Sequence, residues 1–139
     1  MRILITGSSG LVGAELAASL RACGHEVVEY DIARARAEGA VEDIRDLRTL
    51  GDRMRGCDGV FHLAAVSRVA WGERDPDRCH SVNVEGTRRV IEAALAAPAR
   101  PLAGLCQLAR GLWRPRHPAG DRGRADDRGQ PLWQVEGRG

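Results

Sequence analysis

The first thirteen residues constrain this chain's fold more than any other stretch. Arg2-Ile3-Leu4-Ile5-Thr6 is a short apolar run that breaks at once into Gly7-Ser8-Ser9-Gly10-Leu11-Val12-Gly13. Apolar residues at helical spacing follow: Leu11, Ala14, Ala18 and Ala22. A T-G-x-x-G-x-x-G pattern between a strand and a helix is a strand–turn–helix unit. The glycines let the backbone turn tightly and come close to a ligand. The helix start adds free N–H groups and a partial positive charge, so the turn suits a pyrophosphate. Gly13 permits close packing of helix on sheet.

The rest of the first 97 residues repeats the alternation. Leu11 to Cys23 predicts a helix, with Gly24 where a left-handed residue ends it. Glu26 to Tyr30 predicts a second strand, and Val41 to Ile44 a weak third. Leu47 to Arg55 predicts a short helix, and Gly59 to Ala65 a fourth strand running into a small-residue turn. Asp77 to Ala97, after Pro76, predicts the longest helix. Strand and helix in alternation predict a parallel α/β sheet wound with helices, in the order 3-2-1-4.

The pattern stops at residue 98. Five of the six prolines lie from Pro98 onward, among scattered glycines, and no fifth strand is visible. Leu102, Leu105, Leu108 and Leu112 have the spacing of one or two helical turns. The expectation is a Rossmann-type doubly wound parallel sheet, incomplete at about four strands, over residues 1–97, with a poorly ordered tail over 98–139.

Charge divides the chain in the same place. The net of +2 hides −2 in residues 1–97 and +4 in the tail. Tail arginines scattered among Gly and Pro, without interleaved aromatics, argue against nucleic-acid binding. There is no apolar run long enough to span a membrane. Cys23, Cys57, Cys79 and Cys106 form no metal or redox pattern, and no signal peptide is visible, so a cytoplasmic protein without a metal site is expected.

Asp31 stands 18 residues after Gly13, at the end of the second predicted strand. A dinucleotide fold places there the carboxylate that accepts hydrogen bonds from the adenosine ribose. Such a carboxylate repels a 2′-phosphate, so NAD is favoured over NADP; Arg34 and Arg36 soften that preference. His62 fits a core histidine at a strand end as well as a functional residue. Ser67 and Arg68 read as solvated loop, and Trp71 and His80 as packing residues.

Together these motifs resemble the NAD-dependent epimerase/dehydratase family, part of the extended short-chain dehydrogenase/reductases. Asp43-Ile44 resembles the family's acidic–apolar pair that contacts adenine. His62-Leu63-Ala64-Ala65 resembles its H-x-A-A turn, past which the dinucleotide runs. Val82-Asn83-Val84-Glu85-Gly86-Thr87 resembles its N-V-x-G-T helix. The implied cofactor-binding residues are Gly7, Ser9, Gly10, Leu11, Val12, Gly13, Asp31, Asp43, Ile44, Leu63, Ala64, Ala65 and Asn83. The resemblance also implies a nucleotide-sugar substrate, and a homodimer, for an intact parent protein.

The family's chemistry needs a Ser/Thr after the fifth strand and a Tyr-x-x-x-Lys pair. All 21 basic residues here are arginine, and the one tyrosine, Tyr30, is on the second strand. No catalytic residue can be assigned, and an inactive chain is expected. The tail offers a reason. Back-translated and read one nucleotide later, Gly104–Leu108 permits Val-Tyr-Ala-Ser-Ser, Gly111–Arg114 permits Val-Tyr-Gly-Asp, and Leu132–Glu136 permits Tyr-Gly-Lys-Ser-Lys. All three fall in one frame and in family order. They imply a one-nucleotide frameshift between about Ala97 and Gly104. The alternatives are a non-catalytic NAD(P)-binding regulatory module, or a fragment of another extended short-chain reductase acting on a steroid- or flavonoid-like carbonyl.

Overall fold

Aliphatic runs of four or five residues make the sheet, and short crossovers make it parallel. A computed structural model of the protein describes residues 1–34 and 42–105. Strands β1 (Arg2–Thr6), β2 (Glu26–Tyr30), β3 (Gly59–His62) and β4 (Leu102–Leu105) lie in the order β2-β1-β3-β4. Every neighbouring pair is parallel, with Leu4 opposite Val28 and Val60, and Thr6 opposite Tyr30 and His62. The chain leaves β1 to one side for β2 and returns on the other for β3. The carboxyl end of β1 is therefore a topological switch point, where such folds bind ligands.

Helix α1 (Leu11–Ala22) links β1 to β2, and α2 (Leu47–Met54) precedes β3. Asp46 starts α2 by accepting from the Arg48 and Thr49 amides, which lets the helix bury Leu50 and Met54. Between β3 and β4 run α3 (Val69–Arg74), α4 (Pro76–His80), a π-helical turn (Ser81–Gly86) and α5 (Thr87–Ala96). On one sheet face Leu4, Val28, Tyr30 and Val60 pack with Leu50, Met54 and Val90. On the other, Ile3 and Ile5 pack with Ala17 of α1. No described helix is long and apolar enough to cross a membrane.

Several expectations need correction. A strand does form beyond residue 98: Leu102 and Leu105 belong to β4 and not to a helical turn. Leu-Ala-Gly-Leu has little intrinsic strand preference; pairing with β3 places it, and the Leu102 amide donates to the Asp58 carbonyl at 3.1 Å. β4 thereby pairs the outer edge of β3. Glu42, Asp43 and Ile44 are not a strand, so the outermost member of the predicted order is absent among the described residues. Ile44 instead wedges under the π-helical turn, where a Cβ on Gly86 would lie 2.4 Å from its Cδ1. Trp71 and His80 are exposed and not packing residues; the Arg68 guanidinium covers the Trp71 ring at 4.7 Å. Arg36, Val41, Cys106 and the rest of the tail beyond Leu105 lie outside the described residues.

Candidate functional site

The site begins with a turn that only glycine can make. Gly7 has φ +73°, and a Cβ there would stand 2.6 Å from the Ala64 nitrogen. A Cβ on Gly13 would stand 2.2 Å from the Gly7 carbonyl oxygen, closer than any real contact. The turn is thus pinned between the start of α1 and the segment after β3. Gly10 is the N-cap of α1 and brings no capping side chain. Leu11 is 92 % exposed, so the first turn of α1 opens to solvent. Ser8 Oγ is buried there with no hydrogen-bond partner among the described residues. Glycines without room for a side chain, an uncapped helix start and an orphaned hydroxyl fit a bound pyrophosphate.

Asp31 sits beside this turn, as its spacing predicts. Its Oδ2 accepts from the Ser9 amide at 2.9 Å and its Oδ1 from the Ala33 amide at 2.8 Å. Its own amide donates to Glu42 Oε2 at 3.2 Å. Glu42 is a buried acid compensated by Arg53 at 2.8 Å, and Arg53 also donates to the Glu29 carbonyl at 3.0 Å. Nothing in the sequence singled out Glu42 and Arg53, because their role depends on their meeting each other and the end of β2 in the folded chain. Arg34 is ion-paired with Glu29.

Asp43 is held by Arg45, whose Nη2 lies 2.5 Å from its carboxylate. Hydrogen bonding to Arg45 keeps the Asp43 carboxyl below the usual range despite partial burial. The Asp43 carbonyl accepts from the Tyr30 hydroxyl at 2.9 Å, which ties this segment to the end of β2. Burial, and then the nearby Asp46, Glu42 and Asp43, push the Tyr30 hydroxyl far above its ordinary pKa, so it remains a donor.

Leu63 and Ala64 wall the turn from the β3 side, while Ala65 is exposed. Asn83 is engaged with the backbone of Val66: Oδ1 accepts from its amide at 2.8 Å and Nδ2 donates to its carbonyl at 3.1 Å. The carboxyl ends of β1, β2 and β3 thus bring together the glycine turn, Asp31 and Leu63–Ala64. Asp43 and Asn83 join them through Tyr30 and Val66. The sequence marks Thr6 and Thr87 only as members of the glycine-turn and N-V-x-G-T motifs and gives neither a role; both contact His62. Among the described residues there is no cluster of three metal-ligating side chains.

Comparison with known proteins gives a consistent picture. The sequence model of the NAD dependent epimerase/dehydratase family matches residues 3–105. A 3-beta-hydroxysteroid dehydrogenase of Mycolicibacterium neoaurum is 36% identical over 106 residues, covering 69% of this chain and 29% of the relative. Sterol demethylase protein B of Methylococcus capsulatus is 33% identical, covering 72% and 32% respectively. The chain spans about a third of the length of these curated relatives. Among solved structures, a short-chain dehydrogenase/reductase superfamily protein of Agrobacterium tumefaciens with bound NAD is 39% identical, with a TM-score of 0.60 over 73% of this chain and 30% of its own. A dTDP-glucose 4,6-dehydratase of Streptomyces venezuelae with NAD bound is 29% identical, with a TM-score of 0.61 over 70% and 36%.

Proposed function

The chain belongs to the NAD-dependent epimerase/dehydratase family and carries that family's NAD-binding region; from that premise we propose that it binds NAD at the Gly7–Gly13 turn and does not catalyse. The observation that supports binding most is the fit of Gly13 against Gly7 beside the Asp31 carboxylate. The α1 start would face the pyrophosphate, Asp31 would accept from the adenosine ribose, and Leu63–Ala64 would line the path of the dinucleotide. Asp43 would flank the adenine, Ile44 could meet it only through its backbone because its side chain is buried against Gly86, and Asn83 would act by holding Val66. Bound NAD would supply a hydride acceptor.

The Tyr-x-x-x-Lys pair that would move the accompanying proton is missing from this sequence. Family members pair a tyrosine with a lysine, which lowers the phenol's pKa so that it can act as a base. Here there is no lysine, and the sole tyrosine is fully buried, donating to a backbone carbonyl. In the frame that includes the missing pair, the parent would be an oxidoreductase of nucleotide sugars. The steroid enzymes among the relatives favour a second reading, a parent acting on a sterol-like alcohol or carbonyl.

Two titrations test the binding claim. NAD should bind the wild-type chain more tightly than NADP, because Asp31 repels the 2′-phosphate. Asp31→Asn should narrow that preference by roughly tenfold, the size of one charge-assisted hydrogen bond. Equal affinities in the wild type would remove Asp31 from its assigned role. Chemistry is tested by mixing the chain and the frame-restored protein with UDP-glucose or with a 3β-hydroxysteroid. With UDP-glucose the sugar-nucleotide products are separated, because an epimerase or dehydratase returns the hydride and leaves NAD unchanged; oxidation of the steroid leaves NADH. Turnover should appear only after restoration, and the substrate that responds separates the two parents.

A further inference from the structure

His62 ends β3 at 6% exposure with both ring nitrogens engaged. Nδ1 lies 2.7 Å from Thr6 Oγ1, and Nε2 lies 2.9 Å from Thr87 Oγ1. The direction of each hydrogen bond follows from the groups at the ends. Thr87 Oγ1 donates to the Asn83 carbonyl at 2.7 Å, and a carbonyl can only accept. The Thr87 proton is therefore spent, and its oxygen accepts from His62 Nε2–H. Thr6 Oγ1 accepts from the Leu63 and Ala64 amides, both at 3.3 Å, so its own proton is free to donate to Nδ1. The chain runs one way, from Thr6 through His62 and Thr87 to the Asn83 carbonyl. Only a neutral imidazole protonated at Nε2 satisfies it. Burial works in the same sense, holding the ring's pKa below its ordinary value, with no charged side chain contributing.

This chain of hydrogen bonds meets the candidate site at two points. Thr6 immediately precedes Gly7, and its oxygen holds the Leu63 and Ala64 amides against which Gly7 has no room for a Cβ. At the far end, the π-helical turn and the start of α5 present Asn83 and Thr87 to the same region, and Asn83 grips Val66 on both its amide and its carbonyl. π-helical turns often mark functional sites. One imidazole thus joins β1, β3 and α5, and the segment it fixes, Leu63 to Val66, is a wall of the glycine turn.

We infer that His62 is a positioning residue: as the Nε2–H tautomer it locks Leu63–Val66 against the Gly7 turn, and this sets the affinity of the cofactor site. The inference rests on the NAD reading above, so its test separates the two. Thr87→Val keeps the side-chain shape but removes the hydroxyl that accepts from the ring; Thr87→Ser retains that hydroxyl. Ring nitrogen NMR of the wild-type chain should show the Nε2–H tautomer, and an Nδ1–H tautomer at neutral pH would overturn the inference. NAD affinity should fall about tenfold in Thr87→Val and recover to within about twofold in Thr87→Ser. Unchanged affinity in a folded Thr87→Val would also overturn it. If the wild-type chain binds no NAD, the cofactor reading fails instead. Amide exchange then decides the positioning: faster exchange at Leu63, Ala64 and Val66 in Thr87→Val supports the lock, and equal exchange refutes it.

Discussion

On one face of the sheet, α2 and α5 bury Leu4, Val28, Tyr30 and Val60 with Leu50, Met54 and Val90. On the other, α1 alone covers Ile3 and Ile5 with Ala17. The register puts Phe61 beside Ile5, and Leu102 beside Gly59, on that second face. Phe61 is 36 % exposed and Leu102 80 %. Among the described residues, one face is a finished core, and the other is covered over β1 and β2 but open over β3 and β4. Such an open face agrees with a chain spanning about a third of the length of its curated relatives. The side chains that brace the candidate site, Thr6, His62, Tyr30 and Thr87, all belong to the finished face. The finished face alone thus braces the glycine turn, while among the described residues half of the other face lacks a cover.

The largest test of this contrast is a cavity. Leu50→Ala removes a fully buried side chain between α2 and the sheet, and should cost about 2–5 kcal/mol in chemical denaturation. A loss near zero would mean that the finished face is not packed as described.

A smaller effect comes from pH, and it too belongs to the finished face. The unfolded His62 ring takes up a proton near 6.5, while the buried ring resists it. The unfolded chain then binds more protons, so stability is full above pH 6.5 and declines as pH falls below it. Asp43, held below its ordinary 3.8, adds a further loss at lower pH in the same direction. Tyr30 acts oppositely: its folded pKa is raised, so its contribution is full below pH 10 and is lost as pH rises beyond. Melting temperature should therefore decline on both sides of a plateau, and Tyr30→Phe should flatten the alkaline side. An unchanged alkaline limb in Tyr30→Phe would remove Tyr30 from the account.

How legible each part was depends on the range of the physics that makes it. The glycine turn and Asp31 could be read because their constraints are local: a positive φ, a missing Cβ and a strand end. Helices α1 and α2 announced themselves through apolar spacing. The His62 chain could not be read, because Thr6, His62 and Thr87 come from three elements and their bonding depends on packing. β4 was missed because Leu-Ala-Gly-Leu has no β-branched residue, and only β3 makes it a strand. Val41–Ile44 misled for the converse reason. Its apolar ends suit a strand, but Ile44 is used as a wedge under Gly86 and Asp43 as an acceptor for Tyr30. Helix α3, Val69–Arg74, lacks a capping side chain and contains Gly72, so it carried no start signal.

The smallest effect is expected on the open face. Leu102→Thr should change stability by no more than about 0.5 kcal/mol, since the side chain it replaces is already in solvent. It should also reduce self-association, because it removes an apolar group from a strand whose outer side is unpaired among the described residues. A loss comparable to that of Leu50→Ala would show that something covers this face, and the contrast between the two faces would fall.

The central claim, an NAD site at the carboxyl ends of β1, β2 and β3 held by the finished face, is tested most directly by hydrogen exchange of the full chain with and without NAD. The account predicts slower exchange confined to residues 7–13 and 63–66, with the amides near Asp31 following. Unchanged exchange at the glycine turn, or protection elsewhere in the sheet, would contradict it.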